Sequence, residues 1–464
     1  MSEMQDRLRR LVSLRDKSKR PTPPLPADVD AFDEELPPPE PDDEPINQSL
    51  PLHRLVPGYE IVNAAGLCYC ATQAFPLEEP RGSHPLGNLV SLSPALFHRY
   101  HPTFGLSEIA DYRRAVFIDT ETTGLGGGAG VYCFMVGVGT FEAYQPYAPD
   151  QLPAAPDPNA TPTHFVVRQF FMRNPAEEGA LLVALADMLA SYEMTVTFNG
   201  RSFDLPLLRL RYAQNQRLLP LDRDAASLLR EDRPHLDLLM PARRVWRRRL
   251  QSCRLINLEQ MILGLHRSED DVPGHLIPEL YLQYVRNGHG DAMRRVFYHN
   301  NEDIVTMVAL ADHLSRAFGD APAPTIQGMD WVGLGSARER AGDFAAAENA
   351  YKRALESVRN PADRSDLLHR LADLYKRQER WAEAAETWQD WITSIPGTDP
   401  TPYIELAKYC EWKLHDLEQA EMWTSWALHN LRNAHPAARR PADQRTLEHR
   451  LARLQRKRLG NADS

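Results

Sequence analysis

Up to Phe318, strand-like runs of alternating hydrophobic and polar residues are interspersed with helical stretches, and beyond it only helical spacing is found. Residues 109–318 predict three strands, a helix over Glu177–Tyr192 and a further strand that begins at Met194. Residues 51–108, where short strand-like runs are broken by Pro and Gly, predict an accessory β-rich segment, either a sheet or a flap.

The helical part, residues 325–435, contains three similar segments that align on the small residues Ala347, Ala384 and Ala420. Their intervals of 37 and 36 residues lie slightly above the period of tetratricopeptide repeats. We therefore predict three degenerate repeat units, each a helical hairpin that packs on its neighbour, with a protein partner. Six tryptophans are expected to pack between these helices: Trp381, Trp388, Trp391, Trp412, Trp423 and Trp426.

The predicted turns of the three units differ in sequence. Gly342 and Asp343 suit the turn of the first unit, whereas Glu379 and His415 stand at the corresponding positions of the later two, where a side chain is less favourable. Residues 436–464 predict a basic C-terminal helix and tail that cap the array.

The charge of the chain is concentrated near its beginning. The formal net charge is -10, but residues 21–47 hold nine acids and no base, so the remainder is close to neutral. This Pro-rich segment has too few apolar residues for a core, and we predict a disordered leader over residues 1–50, first basic and then acidic. Net charge therefore neither supports nor excludes a nucleic-acid partner.

Cysteine use and hydropathy bear on the compartment. The five cysteines show no paired metal-type spacing, and their odd number fits a reducing compartment. No apolar run approaches the length of a membrane span. We expect a cytoplasmic protein without a membrane partner.

Two carboxylates follow a predicted strand in the segment VFIDTETTGL, which begins at Val116. Residues two apart in a strand share a side, so Asp119 and Glu121 project together and Thr120 turns away. A divalent cation relieves their repulsion, and carboxylate oxygens suit hard ions such as Mg²⁺ or Mn²⁺. The alternative is a polar turn with two solvated acids. A strand follows GLGGGAG, residues 124–130, so this segment is interpreted as a hairpin turn and not as a phosphate loop.

Two further segments place polar residues at the ends of predicted elements. The strand from Met194 ends at Asn199, and Asp204 follows shortly before a helix, where a lone Asp is often an N-cap. His299 and Asp303 are four residues apart in a predicted helix and therefore share a face, although such a pair is commonly a surface pair.

Taken together, the three segments resemble the motifs of DEDD, or DnaQ-like, exonucleases of the ribonuclease H-like superfamily. The resemblance covers about residues 52–318, and HLDLLMPARRVWRRRL and DDVPGHLIPELY are similar to segments of the bacterial YprB-type subfamily. It implies an α/β ribonuclease H-like fold, a mixed sheet flanked by helices, followed by the all-α tetratricopeptide-like domain.

The resemblance also implies a metal-dependent nuclease. Asp119, Glu121, Asp204 and Asp303 would hold two Mg²⁺ or Mn²⁺ ions, and His299 would orient or deprotonate the attacking water. It further implies 3′ to 5′ hydrolysis of DNA in repair or end processing, with processing of RNA as the alternative.

The third motif departs from both common patterns of the family. One branch has a His five residues before the last Asp, and the other has a Tyr four residues before it. This chain has Tyr298 at the first spacing and His299 at the second. We favour His299 as the general base because imidazole titrates near neutrality, whereas Tyr needs a lowered pKa; Tyr298 is the alternative.

A basic stretch around residue 246 supports a polyanionic substrate. On a helix, several of its arginines would share one face and follow phosphates while the Trp stacks on a base. The alternative is a solvated helix with a buried Trp. The residues expected to contact nucleic acid are Arg243, Arg244, Arg247, Arg248, Trp246 and Asn199.

Two other acids are not counted as ligands. Asp237 is interpreted as a strand-end residue near the site, and Glu259 as an ordinary helix acid. A second hypothesis makes the protein an adaptor, in which the repeats carry the function and the nuclease fold is a scaffold. Loss of a carboxylate would favour it, and all four are present.

Overall fold

A computed structural model of the chain describes residues 50–124, 130–146, 156–219, 226–319, 325–395, 399–433 and 441–462. The leader predicted for residues 1–50 falls almost wholly outside the described residues, as does most of the GLGGGAG segment. The chain forms two units, Met1–Gln48 and Ser49–Ser464, and all that follows concerns the second.

The strands of the second unit form a seven-stranded sheet and a small hairpin in the described part of the chain. The sheet has the order β1-β2-β7-β6-β5-β8-β9, and β3 pairs with β4. The strands are β1 Gly58–Asn63, β2 Gly66–Pro76, β3 Pro80–Arg81, β4 His84–Pro85, β5 Ala115–Thr122, β6 Cys133–Glu142, β7 His164–Phe171, β8 Met194–Thr197 and β9 His235–Asp237.

The sheet is mixed, as the resemblance implied. β5 pairs antiparallel with β6 and parallel with β8, and β8 pairs parallel with β9. The segment expected to form an accessory sheet or flap instead extends the central sheet, because β2 pairs antiparallel with β7 along eight residues and β1 pairs with β2. The predicted boundary near residue 108 therefore does not separate two sheets.

Helices flank this sheet and form the rest of the chain. The α-helices are α1 Leu52–Leu55, α2 Glu178–Leu189, α3 Asp204–Asn215, α4 Leu239–Trp246, α5 Leu255–Leu258, α6 Ile277–Asn287, α7 Gly290–Phe318, α8 Asp330–Arg340, α9 Phe344–Ser357, α10 Pro361–Arg377, α11 Trp381–Ser394, α12 Thr401–Tyr409, α13 Leu417–Asn433 and α14 Pro441–Ala462. Short 3-10 segments lie at 86–91, 94–99, 102–104, 112–114, 175–177, 227–229 and 274–276, and π-helical turns at Glu259–Leu263 and Cys410–Leu414.

The core has a layer on each side of the sheet. Val116 and Ile118 of β5 pack into one buried cluster with α2, whereas Phe117, between them, packs into the other with the second half of α7. Successive residues of β5 thus point to opposite faces of the sheet, as expected for a strand that is buried on both faces.

The long helix α7 lies close against the sheet because β6 carries glycines beneath it. A Cβ atom built on Gly137 would lie 2.2 Å from Asn300 Oδ1 and 2.3 Å from Ile304 Cδ1. Only Gly leaves room for the side chains of α7 at such a distance. The glycines of β6 therefore allow α7 to pack close to the sheet.

Each C-terminal helix packs against the next one along the chain, as expected for the repeats. Ala347, Ala384 and Ala420, the residues on which the repeats were aligned, are all fully buried. In the turns of the later two units, a residue other than Gly adopts the left-handed backbone conformation: φ is 58° at Glu379 and 57° at His415. The prediction that these positions are less favourable is consistent with that geometry.

The predicted packing role of the tryptophans holds for Trp388 and Trp391, which are buried. It fails for Trp412 and Trp426, which are about half exposed (53% and 52%). Among the helices described, none is long and apolar enough to cross a membrane.

Candidate active site

Two of the predicted ligands lie at the carboxyl end of β5, which lies between β6 and β8 in the sheet. Glu121 is buried, and Asp119 lies two residues earlier on the same strand. Asn300 of α7 donates a hydrogen bond from Nδ2 to Asp119 Oδ2 at 2.9 Å. Its own Oδ1 accepts from Gln169 Nε2 at 2.9 Å, so a buried amide pair fixes this carboxylate.

Asp204 is the first residue of α3 and faces β5. Its Oδ1 accepts hydrogen bonds from the backbone N of Thr120 at 3.1 Å and from the Thr120 hydroxyl at 2.5 Å. Thr120 points away from Asp119 and Glu121, as alternation predicted, and its side chain brings Asp204 to the strand. Asp204 is thus a buried site residue as well as the start of a helix.

The loop that carries Asn199 is held by Asp237. Parallel strands β8 and β9 end side by side, with Thr197 opposite Asp237. Asp237 accepts from the backbone N of Asn199 at 2.8 Å and of Arg201 at 3.2 Å. Asn199 is left-handed, with φ 67°, a conformation that Asn tolerates. Asp237 therefore positions the loop from beside the site, in agreement with the sequence interpretation.

The last two predicted residues lie one turn apart on α7. His299 Nε2 is 3.7 Å from Asp303 Oδ2, so the helix places them on one face as predicted. His299 Nδ1 lies 2.7 Å from Asp271 Oδ1. Tyr298 is turned elsewhere, since its hydroxyl accepts a hydrogen bond from the backbone N of Ser268 at 3.0 Å. This arrangement favours His299 over Tyr298 as the group beside the carboxylates.

An arginine that the sequence did not single out joins this cluster. Arg267 is almost fully buried and contacts both Asp303 and Glu259, and its Nε lies 2.8 Å from Glu259 Oε2. Glu259 is 1% exposed, so its interpretation as an ordinary helix acid is wrong: it balances the charge of Arg267.

The electrostatics show that the carboxylates are close enough to repel one another. Burial, with the charges of Asp303, Asp204 and Glu121, raises the pKa of Asp119 well above its usual range. Burial raises the pKa of Glu121 to about 8 and that of Asp204 to about 6, although the hydrogen bonds from Thr120 lower the latter. Asp119, Glu121 and Asp204 are thus destabilised in their charged forms.

The environment of His299 changes one part of the sequence argument. Burial alone would lower its pKa, but Asp271, Asp303 and Glu121 raise it to about 9. The imidazole therefore does not titrate near neutrality while these carboxylates are negative.

The donor set fits divalent metal ions. Buried, mutually repelling carboxylates supply only hard oxygen ligands, and a divalent cation would remove the repulsion that raises the pKa values of Asp119 and Glu121. The residues that would hold such ions are Asp119, Glu121, Asp204 and Asp303.

A cavity of about 640 Å³ opens beside the carboxylates. Its lining includes Asp119 and Asp303, Asn199 from the loop after β8, and Arg243 and Arg247 from α4 and its C-terminal end. Both arginines are exposed, and within the described residues neither forms a salt bridge. They are therefore available to a polyanion that approaches the carboxylates.

The remaining members of the predicted basic face point elsewhere. Trp246 is fully buried in the core, so the expectation that it stacks on a base is wrong. Arg244 donates to the carbonyl of Tyr100 at 2.9 Å, and Arg248 pairs with Asp366 of α10 at 2.8 Å. A helix turns by about 100° per residue, so neighbouring arginines face different partners and do not share one face.

Sequence reasoning missed the groups that position the carboxylates. Asn300 immediately follows the two residues considered for the base and lay inside a segment already singled out, whereas Arg267 lies three residues before DDVPGH and outside it. No local signal pairs Arg267 with Glu259 or Asp303, since that contact depends on the folded loop.

Comparison with known proteins gives the family of the chain. The RNase H superfamily matches residues 116–315, which contain all four carboxylates, and a tetratricopeptide repeat matches residues 331–365. The chain is 30% identical, over 355 residues that make up 74% of each chain, to the uncharacterized protein YprB of Bacillus subtilis (strain 168). The chain therefore belongs to the RNase H superfamily, as a YprB-type member with C-terminal tetratricopeptide repeats.

Proposed function

We propose that this protein is a metal-dependent exonuclease that hydrolyses phosphodiester bonds, acts on DNA from the 3′ end, and serves in repair or end processing. The observation that carries the proposal is the convergence of four carboxylates from β5, α3 and α7, two of which, Asp119 and Asp303, line one cavity with exposed arginines. All four ligands are retained, which argues for a nuclease and against a non-catalytic adaptor.

Two Mg²⁺ or Mn²⁺ ions would lower the pKa of a water and stabilise the leaving oxygen when bound. The residues of the chain supply the rest. Asn300 fixes Asp119 and Thr120 fixes Asp204, so that the carboxylates need little reorganisation. His299 holds a proton beside Asp303, and it becomes able to accept one as the surrounding negative charge is neutralised.

Substrate binding is assigned to the cavity. Arg243 and Arg247 would contact phosphates, and Asn199, at the carboxyl end of β8, would contact the terminal nucleotide. Among the residues described, Asp119 and Asp303 share this lining with the arginines, so a strand end held by Arg243 and Arg247 would present its last phosphate to the carboxylates.

The repeats would bind a protein partner. Exposed Trp412 lines a cavity of about 570 Å³ together with Lys408 and Arg450, between α12 and α14. An exposed aromatic ring beside cations is typical of a binding surface.

The test is digestion of 5′-labelled and 3′-labelled single- and double-stranded DNA and RNA by the full chain with Mg²⁺ or Mn²⁺. We expect a ladder on 5′-labelled DNA and immediate loss of label from 3′-labelled DNA. Arg243→Gln together with Arg247→Gln should raise KM with little change in kcat, because both residues act in binding. Internal cutting of circular DNA, or a ladder only on the 3′-labelled strand, would contradict the assigned polarity, and faster digestion of RNA would favour the RNA-processing alternative.

A further inference from the structure

A second group of potential ligands lies away from the carboxylates. His84 of β4 meets Asp312 and His313 near the C-terminal end of α7, and one ligand atom from each lies within 4.8 Å of the others. His313 follows Asp303 by ten residues, which is roughly 15 Å along the helix axis. The two groups are therefore separate sites on one helix.

His313 is held in the tautomer that binds a metal. Its Nδ1 lies 3.1 Å from the carbonyl of Ala309, which can only accept, so Nδ1 carries the hydrogen and Nε2 carries a lone pair. The residue is 1% exposed, and Nε2 is buried without a hydrogen-bond partner. A buried unsatisfied nitrogen is unfavourable, and a backbone carbonyl on the other ring nitrogen is the usual support of a metal-binding His.

The other two ligands complete a mixed set of nitrogen and oxygen. His84 Nδ1 lies 2.6 Å from Asp312 Oδ2, and the rings of His84 and His313 are 5.0 Å apart. Arg316 donates to both oxygens of Asp312, at 3.1 and 2.9 Å, and can keep one of them while the other binds an ion. The His84 side chain is 26% exposed, which gives an ion access from solvent.

We propose that His84, Asp312 and His313 bind a first-row transition-metal ion, with Zn²⁺ as the best match. Two imidazoles and one carboxylate are common zinc ligands and a poor set for Mg²⁺, which prefers oxygen. Water would take the fourth position. The ion would fasten the β3–β4 hairpin, residues 80–85, to α7, where Arg81 already contacts Glu302 beside Asp303.

The proposal is tested by measuring the zinc content of the full chain after dialysis against Zn²⁺ with excess Mg²⁺ to compete for the carboxylates. We expect one Zn²⁺ per chain, retained in an Asp204→Asn background. His313→Gln and His84→Gln should weaken binding at least about tenfold. The matched control is His369→Gln, which removes a His–Asp pair with a 3.3 Å separation on α10 and should leave binding unchanged.

A further readout and a second variant keep the test decisive. Hydrogen exchange of residues 80–85 should slow when Zn²⁺ is added to the wild type and not to His84→Gln. If His313→Gln fails to fold, His84→Gln decides alone, because His84 lies on a partly exposed hairpin. Absence of Zn²⁺ from the wild type, or equal binding by wild type and His84→Gln, would overturn the proposal.

Discussion

At the scale of single residues, the proposed chemistry depends on carboxylates that are buried together. Asp119, Glu121, Asp204 and Asp303 were all predicted from three short segments, because the segments together resemble a family of nucleases, although each alone allowed another interpretation. Arg267 and Glu259 could not be predicted, since their pairing joins a π-helical turn to a loop only in the folded chain. Trp246 was misassigned because a Trp among arginines has the same local pattern whether it is buried or exposed.

The raised pKa values predict pH-dependent metal binding. Ions bind the charged carboxylates, and the raised pKa values of Asp119, Glu121 (about 8) and Asp204 (about 6) make protons compete more strongly as pH falls. We expect the affinity for Mg²⁺ to rise about tenfold or more between pH 6 and 8, with release of protons. Calorimetry in two buffers of different ionisation enthalpy measures both quantities. Affinity that does not change over this range would contradict the assignment.

At the scale of elements, the sheet could be predicted only in part. Strand positions followed from alternation, but the place of β2 beside β7 did not, because this pairing joins residues about a hundred positions apart. Hydrophobic periodicity reports which residues form a strand and not where that strand lies in the sheet.

The approach of α7 to β6 gives a prediction at this scale. We expect Gly137→Ala to destabilise the protein by about 1–3 kcal/mol, since the new methyl group would overlap Asn300 and Ile304. It should also weaken metal binding, because Asn300 positions Asp119. Chemical denaturation and metal titration provide the measurements. Gly130→Ala, in the same hairpin and with no atom within 4 Å of the added Cβ, is the control; equal stability of both variants would contradict the close contact.

The repeat turns give a second prediction about elements. Glu379→Gly and His415→Gly should each stabilise the repeats by about 0.5–1 kcal/mol, because Gly adopts the observed left-handed φ without strain. Gln378→Gly, one residue earlier at φ -90°, should not stabilise them. Thermal unfolding distinguishes these outcomes, and loss of stability in both left-handed variants would argue against the turn geometry.

At the scale of the whole molecule, the RNase H-like domain and the repeats share an interface that the linker pattern did not reveal. Gly333 of α8 packs so closely on α4 that an added Cβ would lie 2.1 Å from the carbonyl oxygen of Arg244. Arg249 reaches Asp330, a fully buried carboxylate, at 2.9 Å. The basic stretch around residue 246 therefore serves both the cavity and the attachment of the repeats.

This interface predicts unequal effects of two neighbouring arginines. Arg249→Ala leaves the buried Asp330 without its partner and should cost about 3–5 kcal/mol. Arg248→Ala breaks only an exposed pair with Asp366 and should cost about 0–1 kcal/mol. Scanning calorimetry should show the first repeat unfolding separately in the former variant alone. Similar unfolding profiles for the two variants would contradict the interface.

The measurement that tests the central claim most directly is the rate of DNA cleavage as Mg²⁺ is titrated into wild type, Asp204→Asn and Asp232→Asn. Asp204 lies in the buried carboxylate group, whereas Asp232 is an exposed acid paired with Arg230. The account predicts metal-dependent cleavage by wild type and Asp232→Asn, its abolition by EDTA, and a loss of at least about 10³-fold in Asp204→Asn. Cleavage by Asp204→Asn at the wild-type rate, or cleavage that persists in EDTA, would contradict a metal-dependent carboxylate site.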